Sequence, residues 1–394
     1  MNLLEENKKP DKTKGQKIIL GLLITSVILL LLTIGIIVYF IVTNPKTMQV
    51  IKYKIDNVDV QTSQEFLIST TDGDNYVELK ELAKLLNYNY FNGGYLEFSE
   101  DKEKCYIDNG FEIIQMEKDS NIIYKTRDNN KIGFQKFEIS KKIIYYNEKL
   151  YINILDLPVA LNLMVQNGSI NKLETAAKNY QSELNQKGYS SIDSDRNNLK
   201  TIAYNLIVIN KNSKKGIVNN NFEEIIGAKY DNMKFIELTK DFIVSSNNMY
   251  GIIKQNGETK VKLVYDNIDI LSYSPLLYVV KKDNKLGIIN ENGEIVADIL
   301  YDKIGYDQNK QLNIEHTVFI PEIVKDVGQT IVVSIDKKYG LIEIEKKKPI
   351  LNCICDGIYI SKIEDNVKYI AKINENEYNL IEYIEYAKAQ ENKN

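Results

Sequence analysis

The chain has no tryptophan, one histidine (His316), three cysteines (Cys105, Cys353, Cys355) and six prolines in 394 residues. Arginine is almost as scarce. Arg127 and Arg196 are the only two, so nearly all of the 50 basic residues are lysine. Each shortage closes a route. One histidine cannot build a multi-histidine metal site. Three cysteines cannot form a disulfide framework. Scarce arginine and a net charge of -4 argue against nucleic-acid binding, which needs cations facing phosphates. Neither a phosphate loop (Gly-x-x-x-x-Gly-Lys-Ser/Thr) nor a nucleophile elbow (Gly-x-Ser-x-Gly) occurs. No catalytic residue, metal or cofactor is therefore nominated. The 54 acidic residues leave a two-carboxylate glycosidase open by count, but no local motif picks out a pair.

Mean hydropathy is -0.29, yet the average hides one apolar run. Residues 18–42 read IILGLLITSVILLLLTIGIIVYFIV, 25 residues without a charge. At ~1.5 Å rise per residue this crosses a hydrocarbon core of ~30 Å with some tilt. A cleaved secretory signal has a shorter core, ~7–15 residues, before a small-x-small site. Here the run continues into Thr43-Asn44-Pro45-Lys46, so a retained membrane helix is expected. Residues 1–17 carry five lysines and three acids, and the 15 residues after the run carry three lysines and Asp56. The positive-inside rule then puts the amino terminus in the cytoplasm and the rest outside. The tail holds a charge of +2, which leaves -6 on the exterior portion. Bulk charge will not hold such a domain on anionic lipid or polyanions.

Two stretches, 76–88 and 151–163, align without a gap at an offset of 75. Leu79, Leu82, Ala83 and Leu86 in one, and Ile154, Leu157, Pro158 and Leu161 in the other, trace the stripe of a short amphipathic helix. Asn87 and Asn162 sit where each helix should end, since Asn tolerates the left-handed conformation. Pro158 removes a backbone donor and is expected to disturb its helix. Between them, β-prone runs at 95–98, 104–107, 112–116, 122–125 and 142–146 alternate with turns such as Asn92-Gly93-Gly94 and Asp108-Asn109-Gly110. This predicts an α+β module, each helix on a small antiparallel sheet.

The arrangement resembles the copper amine oxidase N-terminal-like domain, with its Tyr-Val-Pro-Leu-Arg-x-Leu-Ala-x-x-Leu-Gly helix. Glu78, Lys80 and Asn87 stand where that pattern has Pro, Arg and Gly. The resemblance implies a stalk module without copper ligands. Amine oxidation itself needs several histidines, and this chain has one.

The carboxy-terminal half repeats. Gly216-Ile217-Val218, Gly251-Ile252-Ile253, Gly287-Ile288-Ile289 and Gly340-Leu341-Ile342 are followed by Tyr230-Asp231, Tyr265-Asp266, Tyr301-Asp302 and Cys355-Asp356. The glycines lie 35, 36 and 53 residues apart, the last gap implying an insertion around 305–327. Strands are expected before each glycine, at 206–209, 242–245, 277–280 and 331–334, and a partial fifth unit at 369–381. Gln255-Asn256-Gly257 and Glu291-Asn292-Gly293 are hairpin signals. A unit of this length cannot bury its own apolar face, so the units must stack or close into a ring. The grammar resembles the WG-repeat family. Lys215, Tyr250, Leu286 and Tyr339 occupy the positions of its tryptophan.

Tyr230, Tyr265 and Tyr301, with Asp231, Asp266 and Asp302, are the candidate ligand-binding residues. The aspartates read either as a ring of carboxylates or as turn residues bonding their own backbone. The tyrosines read either as groove-lining rings or as packing between units. Cys353 and Cys355 fall in an expected strand, where alternation puts both thiols on one face. An oxidising exterior makes their pairing or reaction an open alternative to burial. His316 lies in the insertion and reads as structural.

The expected organisation is a cytoplasmic tail (1–17), transmembrane helix (18–42), juxtamembrane linker (43–55), α+β domain (56–172), helical and polar linker (173–200), all-β repeat array of propeller-like or solenoid form (201–386), and disordered tail (387–394). The Asn-, Ile- and Lys-rich vocabulary suits a low-GC, Gram-positive-type bacterium. The expected role is a non-enzymatic, single-pass membrane-anchored scaffold that binds an extracellular protein or cell-wall polymer. The alternatives are a carboxylate-dependent wall hydrolase and a transmembrane sensor with a short cytoplasmic tail.

Overall fold

The computed structural model describes residues 54–63, 65–95, 101–127, 134–166, 168–305, 319–320, 329–363 and 366–391. The expected membrane helix at 18–42, part of the strand expected at 95–98, and His316 lie outside them. Among the described residues no helix is long and apolar enough to cross a membrane.

Contacts divide the chain into two units. The described part of the first is Leu67–Tyr76, where Thr70 N–H donates to Asp74 O at 2.8 Å and Ser69 Oγ to Asn75 Oδ1 at 2.6 Å. The second, Lys52–Phe66 with Val77–Asn394, contains everything that follows.

Its first portion is α+β. Helix α1 (Leu79–Leu85) buries Leu79, Leu82 and Ala83, and the chain leaves it through Asn87 at φ 59°. The second amphipathic stretch does not form one helix. Ile154–Asp156 is a 3-10 turn, and α2 (Leu157–Leu161) starts only there, with Pro158 in its first turn and Asn162 at φ 56° closing it. Proline is harmless in a first turn, where its missing N–H has no partner to lose, so it resets the helix start. A five-stranded antiparallel sheet runs in chain order through Asn89–Asn92, Lys104–Asp108, Glu112–Glu117, Ile122–Arg127 and Gln135–Glu138. A second sheet is mixed rather than antiparallel, because Lys54–Ile55 pairs parallel to Ser169–Ile170. Periodicity reports burial, not strand direction, so that pairing was invisible in sequence.

The repeats form a succession of antiparallel sheets. Four strands build each of three complete ones: 191–192 with Leu206–Lys211, Lys214–Asn219 and Glu224–Tyr230; then Asn232–Ile236 to Thr259–Tyr265; then Asn267–Tyr273 to Ile295–Tyr301. The fourth sheet centres on Thr330–Ile335, Lys338–Glu343 and Lys348–Cys355, and the fifth has three strands, Gly357–Ile363, Asn366–Ile373 and Asn376–Asn379. Consecutive sheets share apolar layers. Tyr230, Phe235, Phe242 and Val244 fill one, Ile243, Val261, Tyr278 and Val280 the next, and Leu277, Tyr301, Val333 and Ile342 a third.

The repeated glycines have a packing cause. Opposite each one the outer strand bulges. Between Lys215↔Tyr230 and Ile217↔Ile226 the glycine strand advances two residues and its neighbour four. A Cβ on Gly251 would stand 2.5 Å from Val261 O, and one on Gly340 the same distance from Leu351 O. Only glycine admits that approach.

Helices cover both ends of the array. α3 (Leu173–Gln186) lays Leu173, Ala176 and Leu184 on Ile207, Ile209 and Val218 of the first sheet. The last helix, Leu380–Glu391, lays Leu380 and Ile384 against Leu351, Ile358 and Ala371. Two expectations change. The polar stretch 188–198 is not a spacer throughout, since Ser191 and Ile192 pair with Asn210 and Ile209 as an outer strand. The tail expected to be disordered from 387 is helical to Glu391, because Leu380 and Ile384 anchor its first turns. Capping helices shield the apolar faces that a stacked array leaves at its ends.

Candidate functional site

The Tyr-Asp pairs mark the joints between sheets. Each tyrosine, or Cys355, ends the outer strand of one sheet, and the aspartate leads into the next. Tyr230 and Tyr301 are buried in the layers between sheets, and Tyr265 is half-buried against one. Cys355 is wholly buried in the equivalent place among Val332, Leu341 and Leu351. The rings therefore sit in packing layers rather than lining an open groove.

The aspartates clasp the joint, Asp231, Asp302 and Asp356 at three points and Asp266 at two. The N–H groups of Asp231, Asp266, Asp302 and Asp356 donate to Ser245, Lys281, Ser334 and Lys372 carbonyls at 2.7–2.8 Å. One carboxylate oxygen accepts the N–H of Asn247, Asp283, Asp336 or Asn374 at 2.8 Å, each the first residue of a tight turn in the following sheet. Those turns have two consecutive positive φ values, such as 51° and 62° at Asp283 and Asn284. Two-residue turns of that hand match the twist of a hairpin. The other oxygen takes a lysine from the sheet before: Lys214 to Asp231, Lys285 to Asp302 at 2.6 Å, Lys338 to Asp356. These lysines hold the three carboxyls below the usual aspartate range, with the turn N–H adding to the effect. Each lysine stands two residues before the repeat glycine, and Met249 takes that place before Gly251. That Lys-x-Gly signal was present in sequence and passed unnoticed.

The thiols part company. Cys355 faces the layer between the fourth and fifth sheets, whereas Cys353 packs with Val333 and Ile342 on the other side. The expectation of one shared face fails because the bulge between Leu351 and Cys355 interrupts the two-residue alternation. Burial pushes the Cys105 and Cys355 thiols up to about 12. All three cysteines are unpaired.

Two features went unseen in the sequence. The first is a row on the outer strands. Val264, Leu300 and Ile354 each directly precede the joint residue, and they are 41%, 38% and 44% exposed. Lys229 holds the same position in the first sheet. Each of these strands is the last in its sheet and has a single hydrogen-bonded neighbour there. The array thus offers apolar side chains beside backbone groups left over from sheet pairing.

The second is a buried charge cluster. Glu237 accepts Lys125 Nζ at 2.7 Å on Oε1 and Lys200 Nζ at 2.7 Å on Oε2, with Tyr204 Oη donating to Oε1 at 3.1 Å. Lys200 also donates to Glu112, whose other oxygen accepts Asn162 Nδ2 at 2.8 Å. Two ammonium groups meet two carboxylates, all four residues at most 5% exposed. Burial alone would raise the Glu237 pKa, but Lys125 and Lys200 outweigh it and hold that carboxyl down at about 2. Burial would likewise lower Lys200, and Glu237 with Glu112 reverses that. A carboxylate held ionised so firmly is the opposite of a general acid. The cluster ties the five-stranded sheet to the start of the repeats.

No curated protein matches this chain. Among solved structures, Kluyveromyces lactis Hsv2 is similar over 72% of this chain and 88% of its own, at 9% identity and a TM-score of 0.17. The WG containing repeat family model matches residues 250–285 and 287–310, which take in the last two strands of the second sheet, the third sheet, and the joints at Tyr265-Asp266 and Tyr301-Asp302. That part of the chain is similar to the WG-type repeat; Tyr250 opens the first matched segment and Leu286 falls between the two.

Proposed function

We propose that this protein is a non-enzymatic interaction scaffold, anchored in the bacterial envelope by residues 18–42 and holding its repeats outside the cell. Residues 56–172 act in this reading as a stalk module of the copper amine oxidase N-terminal-like kind. WG-type repeats suit a binding or scaffold role. The observation that carries the reading is the apolar row Val264, Leu300 and Ile354 on successive outer strands. A partner segment laid along such strands gains backbone hydrogen bonds from the edges and apolar burial from the row. At the buried cluster Glu112 and Glu237 are both bound by Lys200, so that pair does not supply the two acids of the hydrolase alternative.

The test is retention of the full chain, in detergent, on peptidoglycan and on immobilised cell-surface extract. The native protein should be retained by one of them. A triple variant, Val264→Lys, Leu300→Lys and Ile354→Lys, should lose retention while keeping its circular dichroism. Equal retention of both proteins defeats the assignment of the row, and no retention of either defeats the scaffold. Protease shaving of intact cells tests topology separately. The repeats should be digested and the lysine-rich tail spared; the reverse pattern overturns the orientation.

A further inference from the structure

A cavity of about 230 Å³ opens beside the charge cluster, between the α+β elements and the helices that lead into the repeats. Its walls include Tyr88, Phe111, Asn162, Lys172, Glu174 and Arg196, and the first turn of α3 enters it at Leu173–Thr175. That helix has 14 residues; the side chain of Lys172, which leads into it, does not cap it, and the Lys172 N–H donates to Asp56 Oδ1 at 2.7 Å. The N–H groups of its first turn, Leu173–Thr175, stand at the cavity wall with the positive end of the helix dipole, where an anion would satisfy them. Two cations join them, each laid on an aromatic ring. Lys172 Nζ is 5.2 Å from the centre of Tyr88, and the Arg196 guanidinium is 5.4 Å from that of Phe111. Lys172 has Asp56 at 4.0 Å, while no ion pair holds Arg196 among the described residues.

The same cavity wants a donor. Asn162 is 8% exposed and spends its Nδ2 on Glu112, yet its Oδ1 has no hydrogen-bond partner. A buried acceptor left unpaired costs free energy that a ligand N–H or O–H would recover. The Glu174 carboxylate also lines the cavity. It would repel a simple anion and attract an ammonium.

We propose that this cavity binds a small zwitterion, a molecule with a carboxylate and a nearby ammonium. The carboxylate is received by the amino terminus of α3 and Arg196, with Lys172 beside them. The ammonium is received by Glu174 and the Asn162 amide oxygen. A free amino acid has that chemistry, and so does a short peptide whose two ends lie close together. The site is separate from the apolar row on the repeats, so either proposal stands if the other falls.

The chain has no tryptophan, so its ultraviolet fluorescence is tyrosine emission and Tyr88 lies in the cavity wall. The full chain in detergent is titrated with free α-amino acids, Ala-Ala, acetate, ethylamine and N-acetylalanine, by calorimetry with tyrosine emission as a second signal. At least one amino acid or the dipeptide should bind saturably, at least tenfold more tightly than acetate, ethylamine or the acetylated compound. The free amino acids and the dipeptide are separate arms that distinguish the two sources. Arg196→Gln, on an exposed side chain, should weaken that binding at least tenfold with an unchanged thermal midpoint. Glu174→Gln should erase the preference over N-acetylalanine. Absence of saturable binding overturns the proposal. So does acetate binding as tightly as the amino acids, or binding that neither substitution alters.

Discussion

Lys285 and Asp302 meet at 2.6 Å across the joint between the third and fourth sheets, although 16 residues lie between them in sequence. The same pairing joins Lys214 to Asp231 and Lys338 to Asp356. Each aspartate thus links a lysine behind it to a tight turn ahead of it, and the repeat carries its own clasp.

At the second joint the lysine is absent, and Met249 stands there 42% exposed. Met249→Lys should raise the thermal midpoint slightly by giving Asp266 the missing cation. Lys285→Met should lower it by a similar small amount, since exposed pairs contribute little. Both effects should fade in ~1 M salt, where screening removes exposed pairs. Calorimetric scans of the three proteins at low and high salt check this.

Gly251→Ala should cost far more. The added Cβ would lie 2.5 Å from Val261 O and 2.9 Å from Leu263 N, so the bulged strand must move. Overpacking of this kind costs about 1–3 kcal/mol. Urea denaturation should show a lower midpoint. Gly227→Ala is the control, because its nearest neighbour is a movable Glu224 side-chain atom at 3.1 Å.

Lys200→Met should be the most damaging of the single changes. It removes the cation shared by Glu112 and Glu237 and leaves buried negative charge behind. Breaking a buried pair from one side costs about 3–5 kcal/mol. Adding Glu112→Gln to Lys200→Met should recover part of the loss in the same urea titration, because one orphaned charge is then gone.

The cluster also sets a pH dependence. Glu237 is held at about 2 against an ordinary 4.5, so its contribution is complete above pH 4.5 and is lost as pH falls towards 2. Lys200 is raised above 10.5, so its contribution is complete below that pH and is lost as pH rises past it. Stability should form a plateau with an acid limb and an alkaline limb. In Glu237→Gln the fall in stability from pH 6 to pH 3 should be smaller than in the native chain, read from urea midpoints at each pH.

Much of the repeat was legible because its rules are local. The glycine spacing, the Asn-Gly turns and the strands before each glycine all express backbone constraints within a few residues. The glycines at Gly257 and Gly293 do take φ values of 87° and 81°, as such turns require. The same local logic failed where long-range packing intervened. Alternation placed Cys353 with Cys355, and a bulge created by a neighbouring strand separated them. Proline at 158 was expected to disturb a helix, and instead the helix begins around it.

By itself the sequence determined the period of the array, the need for glycine at four equivalent places, and the apolar run at 18–42. These follow from chain sterics and hydrophobicity, which act residue by residue. Only the tertiary structure decided which charges meet. Glu112 and Lys200 are 88 positions apart, and Lys125 and Glu237 are 112 apart. Nothing in either neighbourhood distinguishes those residues from the many other lysines and glutamates. Their pairing arises because burial leaves a charge no water to turn to, so the fold is stable only where it delivers an opposite charge to the same place. The cavity arises in the same way, since its walls come from five separate stretches of chain that meet only when the α+β elements close on the first repeat.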